Sequence, residues 1–366
     1  MVNRPKKQNV SIQQVLAALL DNQNVFPPAY FHHFSDLDGA DLAALRSVWP
    51  QVNPDRRFNL LEDLEELAES DTLVSFDNVA RMALDDPDPR VRTVAIRLLW
   101  EDENPRLAPV FLKMLEKDKD AGVRAAAATA LGLFVYLGEL EEIPEELKRR
   151  VEDNLLRVQA GTDDALVRRR ALESLGFSGR EEVPALIQAA YETEDPDWVS
   201  SALFAMGRSA DDSWGPEVIR MLKHQRTNVQ LEAIRAAGEL SLSAARRPLL
   251  QLLDDELQDS EIRAAVYWAL SQIGGEDVRE ILEERLDEAE DEDEIDILED
   301  ALDNLTFTED NGLEMYGMMG FDHLGEVDKE IEDPLAGLDE DETGEEKGGG
   351  QPAKRTGRKR HHGGKS

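Results

Sequence analysis

Apolar residues recur along the chain at the three- and four-residue spacing of a helix face, in short runs that each begin at a capping residue. Between Asp120 and Gly132, Val123, Ala127, Ala130 and Leu131 fall on one side of a helix. Asp120 stands where a carboxylate accepts from the first free amides, and Gly132 allows a stop or close packing. The same run appears seven more times, with Arg56, Val91, Val167, Trp198, Val229, Ile262 and Glu294 at the position of Val123. From Arg56 onward the intervals are 35, 32, 44, 31, 31, 33 and 32 residues. Three residues before these positions stand Asn53, Asp88, Asp120, Asp164, Asp195, Arg226, Asp259 and Asp291, and all but Arg226 can cap a helix. Pro54, Pro89 and Pro196 follow three of the caps, at the first helical position, where a missing amide does no harm. Four residues after the anchor the side chain is small or apolar: Leu60, Ala95, Ala127, Ala171, Ala202, Ala233, Val266 and Leu298. Gly132, Gly176, Gly207 and Gly238 share one later position in four consecutive units.

A period near thirty residues holds two short helices and two turns, so each unit is a helical hairpin that cannot bury its apolar face alone. Stacking supplies the missing core. The pattern Asp-x-x-Val-Arg-x-x-Ala-x-x-Ala-Leu-Gly resembles the HEAT repeat, in particular the short HEAT-like variety of bilin (phycobilisome) lyase subunits and related bacterial proteins. Asp120, Val123, Arg124, Ala127, Leu131 and Gly132 carry the resemblance, as do Asp164, Val167, Arg168, Ala171, Leu175 and Gly176, and it covers roughly residues 41–305. The expected fold is all-α: a right-handed α-solenoid of about eight stacked hairpins, with a disordered C-terminal tail. The resemblance is specific for fold and nearly silent on function.

Taken in order, residues 1–10 read as disordered and residues 11–40 as an N-terminal helix followed by a capping strap. Ser11 and Gln14 form a capping box for the helix, and Val25 to Phe34 holds two prolines, four aromatics and two histidines, too apolar for a free tether. Adjacent His32 and His33 point apart and do not suit a shared metal. Trp100 stands where later repeats carry glycine and is expected to fill space between hairpins. The one long interval places extra residues around Leu133 to Pro144; insertions in a solenoid project from one face, so Phe134 and Tyr136 are candidate partner-binding residues. Past Leu305 the hairpin pattern stops. The expected tail, 306–366, has an apolar island at 313–324, in which Met315, Tyr316, Met318, Met319 and Phe321 are further candidates, an acidic stretch at 326–346 and a basic end at 347–366. The island reads equally as a cap on the last repeat or as a linear motif.

Arg57, Arg92, Arg124, Arg168 and Arg263 directly follow the anchors and recur where neighbouring repeats present their capping aspartates, predicting an Asp–Arg ladder down the stack, interrupted at Val199, Gln230 and Ile295. The acidic run around Glu288 to Glu294 lacks the alternating ligands and central glycine of a calcium loop and reads as a solvated turn. No run approaches the length needed to span a bilayer, no cysteine is present, and a cytoplasmic monomer is the default expectation.

The formal net charge of −37 disfavours contact of the body with nucleic acid or an anionic membrane. Lys354, Arg355, Arg358, Lys359 and Arg360 in the basic end are candidate phosphate contacts, or fold back on the acidic body. With six histidines and no His-Glu dipeptide, the paired iron ligands of HEAT-like deoxyhypusine hydroxylases are missing; nor is there a Walker loop or a Gly-x-Ser-x-Gly elbow. No catalytic, cofactor or metal residues are assigned. The chain is therefore expected to be a non-catalytic scaffold that binds a protein through its concave face, the inserted loop or the tail. Two alternatives stay open: a lyase-like subunit acting on a tetrapyrrole-bearing protein, implied by the resemblance, and a tail-mediated nucleic-acid or ribosome binder.

Overall fold

The computed structural model describes residues 10–253 and 259–319, and among them every regular element is helical. A first helix, α1 (Ile12–Leu20), and a 3-10 turn at Pro28–Phe34 precede eight two-helix hairpins. The first helices of the hairpins are α2 (Gly39–Val48), α4 (Asp77–Ala83), α6 (Leu107–Lys117), α8 (Glu145–Gln159), α10 (Val183–Tyr191), α12 (Gly215–Met221), α14 (Arg246–Leu253) and α16 (Glu276–Glu288). The second helices are α3 (Pro54–Ser70), α5 (Pro89–Arg97), α7 (Ala121–Glu139), α9 (Ala165–Leu175), α11 (Pro196–Arg208), α13 (Thr227–Glu239), α15 (Ser260–Ile273) and α17 (Glu292–Met319). The chain divides into two compact units, Met1–Glu314 and Met315–Ser366, and the stacked hairpins belong to the first.

The repeated apolar positions make the core. Val91, Val123, Val167, Val229 and Ile262 are buried, and so is every residue four places after an anchor, from Leu60 to Leu298. Second helices pack side by side in sequence from α3 to α15, while each first helix from α4 to α14 backs the second helix of its own hairpin. The glycine row sets how closely the second helices approach. A Cβ on Gly176 would lie 2.8 Å from the Ala205 Cα, and one on Gly238 would lie 2.9 Å from the Ala269 Cα. Both distances are shorter than real Cβ contacts, so the backbones meet only because the side chain is missing. Opposite Gly132, the Ser174 hydroxyl donates to the Ala128 carbonyl at 2.8 Å, satisfying a polar group that the close contact buries.

Ser11 and Gln14 form both bonds of the capping box at the start of α1. The strap after it is anchored by Phe34, fully buried, and by Phe26, whose ring lies about 6 Å from those of Tyr30, Phe31 and Phe34. Two main-chain contacts tie it to the first hairpins: the Asp36 amide donates to the Ser75 carbonyl at 2.8 Å, and Arg56 Nη2 donates to the Asn24 carbonyl at 2.6 Å.

Three sequence expectations change. Trp100 does not fill space between hairpins; it is 66% exposed, because α5 stops at Arg97 and the indole sits in the following turn instead of on a packed helix side. The hairpin pattern stops at Leu305 but the helix does not: α17 runs on to Met319, through residues expected to be tail. Finally, α7 is long and apolar enough by composition to cross a membrane. Most of it is buried inside the stack, where the insertion lengthens it between α5, α6, α8 and α9.

Candidate interaction face

The N-terminal ends of the second helices are held by charge pairs. Asn53, Asp88, Asp120, Asp164, Asp195, Asp259 and Asp291 each accept from a main-chain amide two or three residues on, at 2.9–3.1 Å. Arg226, at the equivalent place before α13, makes no such bond. The arginine four residues after the cap then reaches the next repeat. Arg92 grips Asp118 with two bonds, at 2.9 and 2.7 Å, while its Nη1 donates to the carbonyls of Asp86 and Pro87 in its own hairpin turn. Arg124 repeats this on Asp163, at 3.0 and 2.5 Å, and on the carbonyls of Asp118 and Lys119. Arg57 pairs with Asp86 at 3.3 Å in the buried interior, where Trp49 Nε1 also donates to Asp86.

The carboxylates of this ladder are not the capping aspartates that the sequence pattern suggested. They lie one or two residues earlier, because each cap has turned its oxygen onto the amides of its own helix. The bonds from Arg124 hold the Asp163 carboxyl below the usual carboxylate range. Burial pushes Asp118 up, but its bonds from Arg92 and the Asp120 amide outweigh that and leave it lowered. The ladder stops at Arg168, which donates to the Gln159 carbonyl and lies 5.2 Å over the Trp198 ring instead of meeting a carboxylate. Arg263 resumes the pairing on Glu294 at 3.2 Å.

Further along the same helices the side chains open to solvent. Of the positions six, ten and thirteen after the anchors, Thr129, Leu133, Tyr136, Phe177, Phe204, Arg208, Arg235, Glu239 and Trp268 lie on the uncovered side of the second-helix layer, whereas Glu173 and Leu242 are buried. From α7 to α15 they form a continuous strip. The Tyr136 and Phe177 rings are 5.3 Å apart. The Arg208 guanidinium lies 5.1 Å over Phe177 and 5.0 Å over Phe204, and its Nε is 3.4 Å from Glu239 Oε1. Trp268, from α15, lies over Gly238, where a Cβ would come within 2.7 Å of its Cζ3. Tyr136 is 43% and Trp268 38% exposed; Trp100 from the turn after α5 and Phe307 on α17, 68% exposed, are further uncovered aromatics of the second helices.

The charges on this face are only partly compensated. Glu232 meets Arg235 through one oxygen at 2.9 Å, and burial pushes its carboxyl up. Burial also raises Glu239, despite Arg208. On α3 burial and the neighbouring Glu66 and Glu62 raise Asp63.

Of the candidate partner-binding residues, Tyr136 lies in the strip. Phe134 does not: it is fully buried, with its ring 6.3 Å from that of Phe111, because it stands about three turns after Val123 on the side of α7 that also buries Ala127 and Leu131. Met315, Tyr316, Met318 and Met319 lie on the α17 backbone, but their side chains fall outside the described residues, as do Phe321, Lys354, Arg355, Arg358, Lys359 and Arg360 entirely. The inserted region also borders a cleft of about 470 Å³, lined by Glu139, Lys148, Glu152 and Arg180 among others. Its charges are already paired, Lys148 with Glu139 at 2.8 Å and Arg180 with Asp153 at 3.1 Å, and the buried Glu152 accepts from the Ser178 hydroxyl. Among the described residues no group of three or more acids or histidines is placed to hold a metal. Phe177, Phe204, Arg208 and Trp268 were not singled out from the sequence. Counting six and ten places from each anchor would have found them.

The family model for HEAT repeats matches residues 78–154 and 215–303. Those stretches are HEAT repeats, and the stacked hairpins form an all-α, HEAT-like solenoid. Comparison with curated proteins finds no match. Among solved structures, the chain is similar to YibA from Escherichia coli, at 18% identity over 74% of this chain and 98% of that one, with a TM-score of 0.37. It is also similar to human deoxyhypusine hydroxylase, at 17% identity over 72% and 95% of the two chains, with a TM-score of 0.32. Kap95p, solved in complex with RanGDP, is 11% identical over 80% of this chain and 45% of that one, with a TM-score of 0.39.

Proposed function

We propose that this protein is a non-catalytic scaffold that holds another protein against the open face of its second helices. The observation that carries the reading is the strip from Tyr136 through Phe177, Arg208 and Glu239 to Trp268, in which partly exposed aromatic rings and charged groups from four second helices and the turn that ends a fifth form one surface. Aromatic and arginine side chains carry most of the energy at protein interfaces, since they bury large areas at low entropic cost and add polar or cation–π contacts. A solenoid suits this role because its side chains, spread over many repeats, present a wide surface on a rigid backbone.

The test is affinity capture from native lysate with quantitative mass spectrometry. The Tyr136→Ala/Trp268→Ala double variant is expected to lose the captured partner by about tenfold or more, as interface anchors do. A Glu146→Ala/Arg149→Ala variant, altered on the opposite helix layer, is expected to keep it. A partner retained by the strip variant overturns the reading.

A further inference from the structure

The Arg208 guanidinium closes the middle of the strip. It lies 5.1 Å from the centre of the Phe177 ring and 5.0 Å from that of Phe204, so one cation covers two half-buried rings, one from α11 and one from the turn after α9. Among the described residues its ionic partner is Glu239 on α13, 3.4 Å from Nε. Three modest holds therefore act together: two cation–π contacts at a partly wet surface and one ion pair. Against them stands the rotamer freedom of a long side chain. When holds and cost are of similar size, removing one hold changes which arrangement predominates.

Glu239 is seated where it can take up a proton. The chain makes room for it at Gly207, where a Cβ would overlap its Oε2 and lie 3.2 Å from the Ala236 Cα. The carboxylate thus rests on bare backbone of α11, turned from water on that side, and takes no hydrogen bond among the described residues. Burial raises its carboxyl and Glu232 adds to the rise, while Arg208 and Arg235 pull the other way without prevailing. Glu232 is itself paired with Arg235, and Glu173 and Arg170 on α9 act on it in opposite senses. From α15 the neighbouring side chain is Trp268, over Gly238. The carboxylate that holds the cover is one that burial makes easy to protonate.

We propose that Glu239 is a positioning residue, a proton-operated catch for the Arg208 cover: charged, it holds the guanidinium on Phe177 and Phe204; protonated, it lets go, and both rings join Tyr136 on the open face. What the opened rings would bind rests on the scaffold reading; the catch itself does not. Because the carboxyl is raised, the cover is closed at pH above that raised value. It opens as pH falls through it, before ordinary exposed glutamates titrate.

The experiment is NMR on the full chain with labelled arginine, following the side-chain resonances of Arg208, assigned by Arg208→Lys. Ring faces shift the resonances of a group stacked on them, so the Arg208 signals are expected upfield of free arginine at neutral pH. They should return toward the free position as pH falls, with helical content unchanged. Glu239→Gln is expected to give the released position across the whole range. Glu232→Gln should move the midpoint to lower pH, because a like charge beside Glu239 is gone. Arg208 signals that stay upfield at every pH and in Glu239→Gln mean that the rings hold the guanidinium unaided, and overturn the proposal; so does their absence upfield at neutral pH.

Capture from lysate separates this from the scaffold reading. Glu239→Gln is expected to raise strip-dependent capture about threefold, the scale of one exposed cation–π contact given over to a partner. If capture depends on Tyr136 and Trp268 while Arg208 ignores Glu239, the catch alone falls. If Arg208 is released as expected while capture ignores the strip, the scaffold reading alone falls.

Discussion

The two ends of the second helices use the same residue types to opposite effect. At the N-terminal ends Arg92 and Arg124 each spend their planar fork on one carboxylate of the next repeat and on carbonyls of their own turn. Nothing is left over for a ligand. At the uncovered C-terminal halves Arg208 makes one ionic contact and otherwise lies on aromatic faces, partly in solvent. An arginine is structural here when its donors are filled by groups that folding brings together, and open to a partner when they are not. Residue type alone does not separate the two cases.

The sharpest way to break the ladder is at Arg57. Asp86, with its side chain fully buried, would keep the Trp49 and Asp88 hydrogen bonds but lose its counter-charge. Arg57→Ala is expected to cost about 3–5 kcal/mol, the range for removing one partner of a buried ion pair, seen as a lower urea midpoint at unchanged helical content.

The pH dependence separates the ladder from a carboxylate further along the helices by sign. Asp163 is lowered, first by the bonds from Arg124, so the folded chain binds that proton less tightly than the unfolded one. Its stabilisation is present above the ordinary aspartate pKa and is lost as pH falls through the lowered folded value. Glu232 is raised, first by burial, so the folded chain binds its proton more tightly. Stability then falls as pH rises from the ordinary glutamate pKa through the raised folded value. Urea unfolding from the acid range to neutrality should show Asp163→Asn flattening the acid-side loss, and Glu232→Gln raising stability at neutral pH. The same direction of change in both variants would contradict the contrast.

The smallest expected effect on stability is at Arg208. The guanidinium is exposed and singly paired, so Arg208→Ala should shift stability by no more than about 0.5 kcal/mol, as at other surface sites. It should free the Phe177 and Phe204 faces. A large loss of stability would place Arg208 with the ladder instead.

Much of this was legible in the chain. The caps from Asn53 to Asp291, the buried anchors and the buried residues four places on depend only on helix geometry and on which side chains tolerate water, and both are written in local spacing. The candidate site was legible only in part: Tyr136 was marked out by its place in the insertion, but so was Phe134, its neighbour two residues away. Two residues apart on one helix they face opposite ways, and Phe134 continues the buried side of Val123, Ala127 and Leu131; what the local pattern left open was that α7 runs unbroken through the inserted residues.

The sequence by itself thus determined the repeating hairpin and its core, because a helix face and a cap are properties of residues within one turn of each other. Only the tertiary structure decided the rest. It chose Asp118 and Asp163 over the capping aspartates as partners of the ladder, and it left Trp100 and Trp268 uncovered. It also brought Tyr136, Phe177, Arg208, Glu239 and Trp268 into one strip. These residues lie tens of positions apart in the chain, and what joins them is the close stacking of second helices that the glycine row allows.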